Sequence, residues 1–73
     1  MSMLTITVNL DNSSFRDFEN PEEIALPAVA DTVADVARRI RSTGYVIGPT
    51  DRPQGGPVMD VNGNRVGDWR VSP

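Results

Sequence analysis

The decapeptide DVNGNRVGDW at residues 60–69 constrains this chain more than any other stretch. Asn62-Gly63 stands between two runs that favour extended structure, 57–61 and 65–71, and that arrangement is the strongest short-range signal for a β-hairpin. Tight hairpins need positive φ, which Gly adopts freely and Asn tolerates, while Gly67 suits a bulge or a close approach by a neighbouring group. Two registers remain open. With a loop at 62–64, Met59, Val61, Trp69 and Val71 share one face and Asp60 and Val66 the other; a shorter loop moves the faces by one. In either case Trp69, the only tryptophan, is expected to anchor the core with its indole N–H bonded to a partner.

Upstream, residues 3–10 alternate. Leu4, Ile6, Val8 and Leu10 lie on one side and Thr5, Thr7 and Asn9 on the other, which reads as a half-buried strand. DNSS then turns the chain, because Asp, Asn and Ser bond their own backbone. Phe15 and Phe18 are expected to fold back over the edge of the core. Asn20-Pro21-Glu22-Glu23 has the form of a helix start. A helix beginning there would carry Pro27 in its interior, where it removes a hydrogen bond and clashes with the preceding turn. The main helix is therefore expected over 27–42, with Pro27 at its first position, after a short helical turn or a kink. Its core stripe is Val29, Val33, Val36 and Ile40, with Ala30 and Ala37 beside them. Arg38, Arg39 and Arg41 complement the helix dipole in the last turn, Asp35 and Arg39 pair across one turn, and Gly44 stops the helix.

Residues 45–47 read as a short strand, and 48–57, with three Gly and three Pro, as a loop. The expected fold is α+β, a single domain over 1–73. Its order is β-α-β-β, with one amphipathic helix on a small antiparallel sheet that ends in the hairpin.

The residue inventory removes most chemistry. The chain has no Cys, no His and no Lys, so disulfides, Cys/His metal sites, a Ser-His dyad and a lysine Schiff base are all out of reach. Asp60, Asn62 and Asn64 imitate the first oxygen ligands of a calcium loop. Arg65 stands where that loop needs Gly, however, and Val71 where it needs its bidentate Glu. Asp60 and Asp68 are the only carboxylates on the hairpin, and no nucleophile, base or electrophile stands near them in sequence. No enzyme, no cofactor and no metal are expected. The N-terminus lacks the basic start and apolar stretch of a signal peptide, and no apolar run matches a membrane span. A cytoplasmic protein is expected, and the sequon Asn12-Ser13-Ser14 is read as a chance match.

Charge is the remaining signal. The net charge of −3 conceals a polarity along the chain: Asp11, Asp17, Glu19, Glu22, Glu23, Asp31 and Asp35 face Arg16 alone, whereas from Val36 onward six Arg oppose three Asp. An acidic surface favours a basic protein partner and disfavours nucleic acid. The expected partner-binding residues are Asp17, Glu19, Glu22, Glu23, Asp31 and Asp35. A rival reading gives direct nucleic-acid binding to Arg38, Arg39, Arg41, Arg52, Arg65 and Arg70, with Trp69 or Tyr45 stacking on bases; the net charge opposes it.

The parts ITVNLDNSSF, VADVARRIRSTG and DVNGNRVGDW together resemble a group of short acidic proteins encoded in phages, prophages and other mobile elements of bacteria. In that group a strand ending in an Asp-Asn-x-x-Phe turn precedes an amphipathic helix and an Asp-x-Asn-Gly-Asn-x-Val-Gly-x-Trp hairpin. Pro27 and the Gly/Pro-rich 48–57 depart from the group's pattern. The resemblance implies no shared enzymatic activity. It implies a phage setting in a host bacterial cell, where small proteins without chemistry commonly bind and block a host machine. Anti-CRISPR proteins look like this, and acidic ones can occupy a nucleic-acid channel as a DNA mimic. The implied partner is a host protein such as a CRISPR effector subunit, with no direct nucleic acid and no membrane. The alternative is a structural or accessory phage protein, monomeric or homodimeric through an exposed strand edge.

Overall fold

A computed structural model describes residues 1–73. Strand β1 (Met3–Val8) is followed by a 3-10 turn (Ser13–Phe15), helix α1 (Leu26–Thr43), strand β2 (Gln54–Met59) and strand β3 (Arg65–Ser72). The three strands form one antiparallel sheet in the order β1-β3-β2. This is the α+β, β-α-β-β arrangement that the sequence implies. The longest strand, β3, takes the centre. β2 lies at an edge, the place in a sheet that tolerates a proline such as Pro57 without losing a ladder hydrogen bond.

Cross-strand register sets the two faces. Ile6, Trp69 and Gly56 align in one row, and Thr5, Arg70 and Gly55 in the next. Successive side chains alternate, so the first row faces the core and the second faces away from it.

The hairpin closes one residue earlier than 62–64. Asp60 N–H donates to Asn64 O at 2.9 Å and Gly63 N–H to Asp60 O at 3.1 Å, so the loop is 61–63. Gly63 has φ of 81°, and no residue other than Gly has a positive φ, so Asn62 does not use that freedom. This matches the hairpin loop that ends on a left-handed residue. Further along, Val58 pairs with Gly67 but Met59 with Arg65, leaving Val66 as an extra residue. That bulge interrupts the alternation. As a result Val66 and Trp69, three apart, are both buried, together with Val58 and Asp60, while Val61 is exposed. Neither expected division of faces survives.

Strand β2 also begins earlier than 57, taking residues 54–56 from the expected loop. Trp69 supplies the reason. A β-carbon on Gly56 would sit 2.9 Å from the indole Nε1. Glycine is thus what lets β2 pass beside a tryptophan at full pairing distance. The indole N–H donates no hydrogen bond within the chain, contrary to expectation. No buried side-chain polar atom lacks a partner, so this N–H reaches solvent past Gly56.

Helix α1 starts at Leu26 with Pro27 in its first turn and no side-chain cap. It ends at Gly44, whose φ is 66° and whose N–H reaches Arg41 O at 3.3 Å. It runs one residue beyond 27–42 at each end, so only Arg41 of the three arginines falls in the last turn. The stretch around Pro21 is a turn and not a helix start. Glu23 N–H bonds Asn20 O at 2.9 Å, and the Asn20 amide donates to Glu23 Oε1 at 3.1 Å. The buried stripe is also rotated from the expected one: Thr32 and Val36 are buried, Ala28, Val29 and Ile40 partly so, and Val33, Ala30 and Ala37 are exposed. The expected strand at 45–47 is absent, and neither free edge of the sheet takes these residues.

The two phenylalanines part company. Asn12 caps the 3-10 turn, its Oδ1 accepting from Ser14 N–H at 2.9 Å. Phe15 is thereby turned inward and is 1% exposed. An isolated bridge between Arg16 and Ile24 then leads the chain outward and back, leaving Phe18 97% exposed. Phe18 does not cover the core.

Phe15, Val36, Val58, Val66 and Trp69 make that core, with Ile6, Val8, Leu10, Val29 and Ile40 packed around it. It lies where α1 and the 3-10 turn meet the β2–β3 hairpin, because α1 packs chiefly on the turn and on β2. The molecule measures 48 × 22 × 17 Å with a radius of gyration of 14.1 Å, against about 11 Å for a compact chain of this length. Its accessible surface is 5553 Å², against roughly 4400 Å² for a monomer of this mass. No helix is long and apolar enough to cross a membrane.

Candidate binding surface

Four of the six acids singled out from the sequence, Asp17, Glu19, Glu22 and Glu23, lie on one loop between the 3-10 turn and α1. The loop is built like a wide hairpin. Asp17 N–H donates to Glu23 O at 3.0 Å, and Ala25 N–H to Phe15 O at 2.7 Å. Within it, Asp17 Oδ1 accepts from Glu19 N–H at 3.2 Å. Arg16 ties the loop to the body: its Nε donates to Leu10 O at 3.0 Å, Nη1 to Glu22 O at 3.3 Å, and Nη2 pairs with Asp11 at 2.8 Å. Arg16 is thus a strut whose donors go to backbone and to Asp11, and the four loop carboxylates form no ion pair.

The two helical acids differ from each other. Asp31 is exposed and unpaired. Asp35 receives Arg39 Nε at 2.8 Å and Arg38 Nη2 at 3.1 Å. Hydrogen bonds from Arg39 and then Arg38 hold its carboxyl below the usual carboxylate range. The Asp35–Arg39 pair forms as expected, and for that reason Asp35 adds little negative potential. Both acids line a groove of about 470 Å³ between α1 and the hairpin, alongside Phe15 and Met59.

Only three of the six arginines of the rival reading come together. Arg38 and Arg39 are engaged with Asp35, and Arg41 ends the helix. Arg52, Arg65 and Arg70 instead line an open groove of about 760 Å³ on the outer face of the sheet, with Thr5, Gly55 and Asp68. These three make no ion pair. Trp69 is 8% exposed and packed in the core, and its small exposed part belongs to the lining of the same groove.

Asp60 resolves the loop that imitates a calcium site. Its Oδ1 accepts from Asn62 N–H at 2.9 Å and Asn64 N–H at 2.8 Å, and Oδ2 from the Asn64 amide at 3.4 Å. The Asn64 backbone N–H first, then the Asn64 amide, the Asn62 N–H and the Ser14 hydroxyl, lower its pKa against the opposing effect of burial. A carboxylate committed to its own turn is a structural brace. Phe18 is the residue that sequence reasoning misplaced. The signal that points it outward is its setting, one aromatic among Asp17, Glu19, Glu22 and Glu23.

No family model, no curated protein and no solved structure matches this chain.

Proposed function

We propose that the protein is a non-enzymatic inhibitor from a phage or mobile element. It binds a host nucleic-acid-binding machine, with a CRISPR effector as the leading candidate, and it presents carboxylates where that machine expects phosphates. The observation that carries this reading is the set of five carboxylates without an ion pair, Asp17, Glu19, Glu22 and Glu23 on the loop before α1 and Asp31 in its second turn. Such a patch draws in a basic surface and competes with the polyanion that surface normally holds. The resemblance to short phage proteins supports the same setting. Binding would be fast at low salt and weaken steeply as salt rises, since exposed charges are screened over about 10 Å at 0.1 M.

The accessory-protein reading finds support in the exposed edge of β1 and the large surface of the chain. Surface of this kind is buried when strands pair between copies. A DNA-binding competition assay with purified effector complexes, run beside sedimentation of the protein alone, separates the two. Displacement of DNA by a monomer supports the inhibitor, and a stable dimer that displaces nothing supports the accessory protein.

A further inference from the structure

We propose that Phe18 is the anchor of the interface, filling an apolar pocket rimmed by Lys or Arg on the partner protein. This deepens the inhibitor reading and rests on it for the nature of the partner.

Three observations carry the proposal. First, Phe18 is 97% exposed while Phe15, three residues earlier, is 1% exposed. The fold takes the aromatic it needs from Phe15 and gains nothing from Phe18, whose ring stands in water at an unfavourable cost. Second, the ring is presented by a braced loop. The Arg16–Ile24 bridge, the Asp17–Glu23 and Glu23–Asn20 backbone bonds and the Arg16 strut all close it. An aromatic side chain has few torsions to fix, so on a loop already ordered it binds at little entropic cost. Third, Asp17, Glu19, Glu22 and Glu23 share the loop without ion pairs. The matching surface is therefore an apolar pocket with a basic rim, the geometry in which an aromatic hot spot is ringed by charges that steer and orient.

The same charges argue against other occupants. Anionic lipid and nucleic-acid backbones are repelled. A two-fold contact between copies would set this loop against its own acids. The one basic groove of the chain, at Arg52, Arg65 and Arg70, has a single hydrophobic residue in its lining and offers no pocket for the ring.

The test is photo-cross-linking in bacterial cells that carry a CRISPR system, with p-benzoylphenylalanine replacing Phe18 in one variant and Asp31 in another. The expected result is a cross-link from position 18 to one host protein, mapped to a peptide with apolar residues next to Lys or Arg. Phe18→Ala is then expected to weaken binding to that purified protein by about 30-fold or more, the scale of a hot spot. Its melting temperature stays unchanged, and Phe18→Trp retains most of the affinity. A cross-link to a second copy, no specific cross-link from position 18, or a loss of less than threefold in Phe18→Ala overturns the proposal. A nucleic-acid-binding protein captured from position 31 alone removes the anchor and leaves the inhibitor standing. Capture from position 18 of a protein that handles no nucleic acid, in a basic-rimmed pocket, keeps the anchor and removes the inhibitor.

Discussion

The indole Nε1 of Trp69 lies 2.9 Å from the point where Gly56 would carry a β-carbon. One residue without a side chain on an edge strand thus makes room for the largest side chain of the core on the central strand. Gly56→Ala is expected to destabilise the protein by about 1–3 kcal/mol, because the added methyl forces the ring off its packing. Gly67→Ala is expected to be worse: there a β-carbon runs into the backbone carbonyl of Thr7, which cannot move without parting β1 from β3. Urea denaturation of the two variants checks both the direction and the order.

Trp69 itself carries a large part of a small core. Its fluorescence is expected to be blue-shifted in the native state and to move red on unfolding. Trp69→Ala is expected to cost about 3–5 kcal/mol, enough to unfold a domain of this size in dilute buffer. A native spectrum that is already red and freely quenched would contradict the packing described above.

Asp60 gives the protein an acid limb. Its folded pKa lies below the ordinary value of about 3.9. The stabilisation it contributes is therefore fully present above about pH 4 and is lost as pH falls through the lower folded value. Asp35 acts in the same direction, and more weakly because water screens its pairs with Arg39 and Arg38. In thermal melts from pH 6 down to pH 2, Asp60→Asn is expected to start lower than wild type and to lose less on acidification. Because the Asp60 oxygens already serve Asn62 and Asn64, millimolar calcium is expected to leave the melting temperature unchanged. A rise of several degrees would mean that the ion displaces those bonds.

The elements legible in the sequence were those with a local cause. Alternation from Leu4 to Val8, the Gly44 stop and the hairpin around Gly63 depend on neighbours in sequence, and each lies within a residue or two of its expected place. What escaped depends on residues far apart. Gly55 and Gly56 read as loop because the reason for them, Trp69, lies across the sheet. The bulge at Val66 is a matter of pairing, so neither register open to the sequence brings Val66 and Trp69 to the same face. Thr32 is buried and Val33 exposed because α1 packs on the 3-10 turn and on β2, partners that its own spacing does not reveal. The acids are legible as charge and the Asp35–Arg39 pair as a four-residue spacing; that Arg38 joins this pair while Asp17, Glu19, Glu22 and Glu23 stay without ion pairs depends on side-chain placement and is not.

Unpaired and paired acids make separable contributions to the proposed inhibition, which gives the central claim its most direct measurement. Glu19→Lys, Glu22→Lys, Glu23→Lys and Asp31→Lys, alone and combined, alter exposed side chains and are each expected to change stability by no more than about 0.5 kcal/mol. They are compared with Asp35→Lys and with Arg52, Arg65 and Arg70 changed to Glu. The measurement is displacement of DNA from the responsive effector at several salt concentrations, with association rates. The four unpaired-acid variants are expected to associate progressively more slowly, to lose their salt dependence and, combined, to stop inhibiting, while the sheet-face variants inhibit like wild type. Full inhibition by the folded quadruple variant, with loss of inhibition in the Arg52, Arg65 and Arg70 variants, would contradict the account and place the contact on the basic face of the sheet.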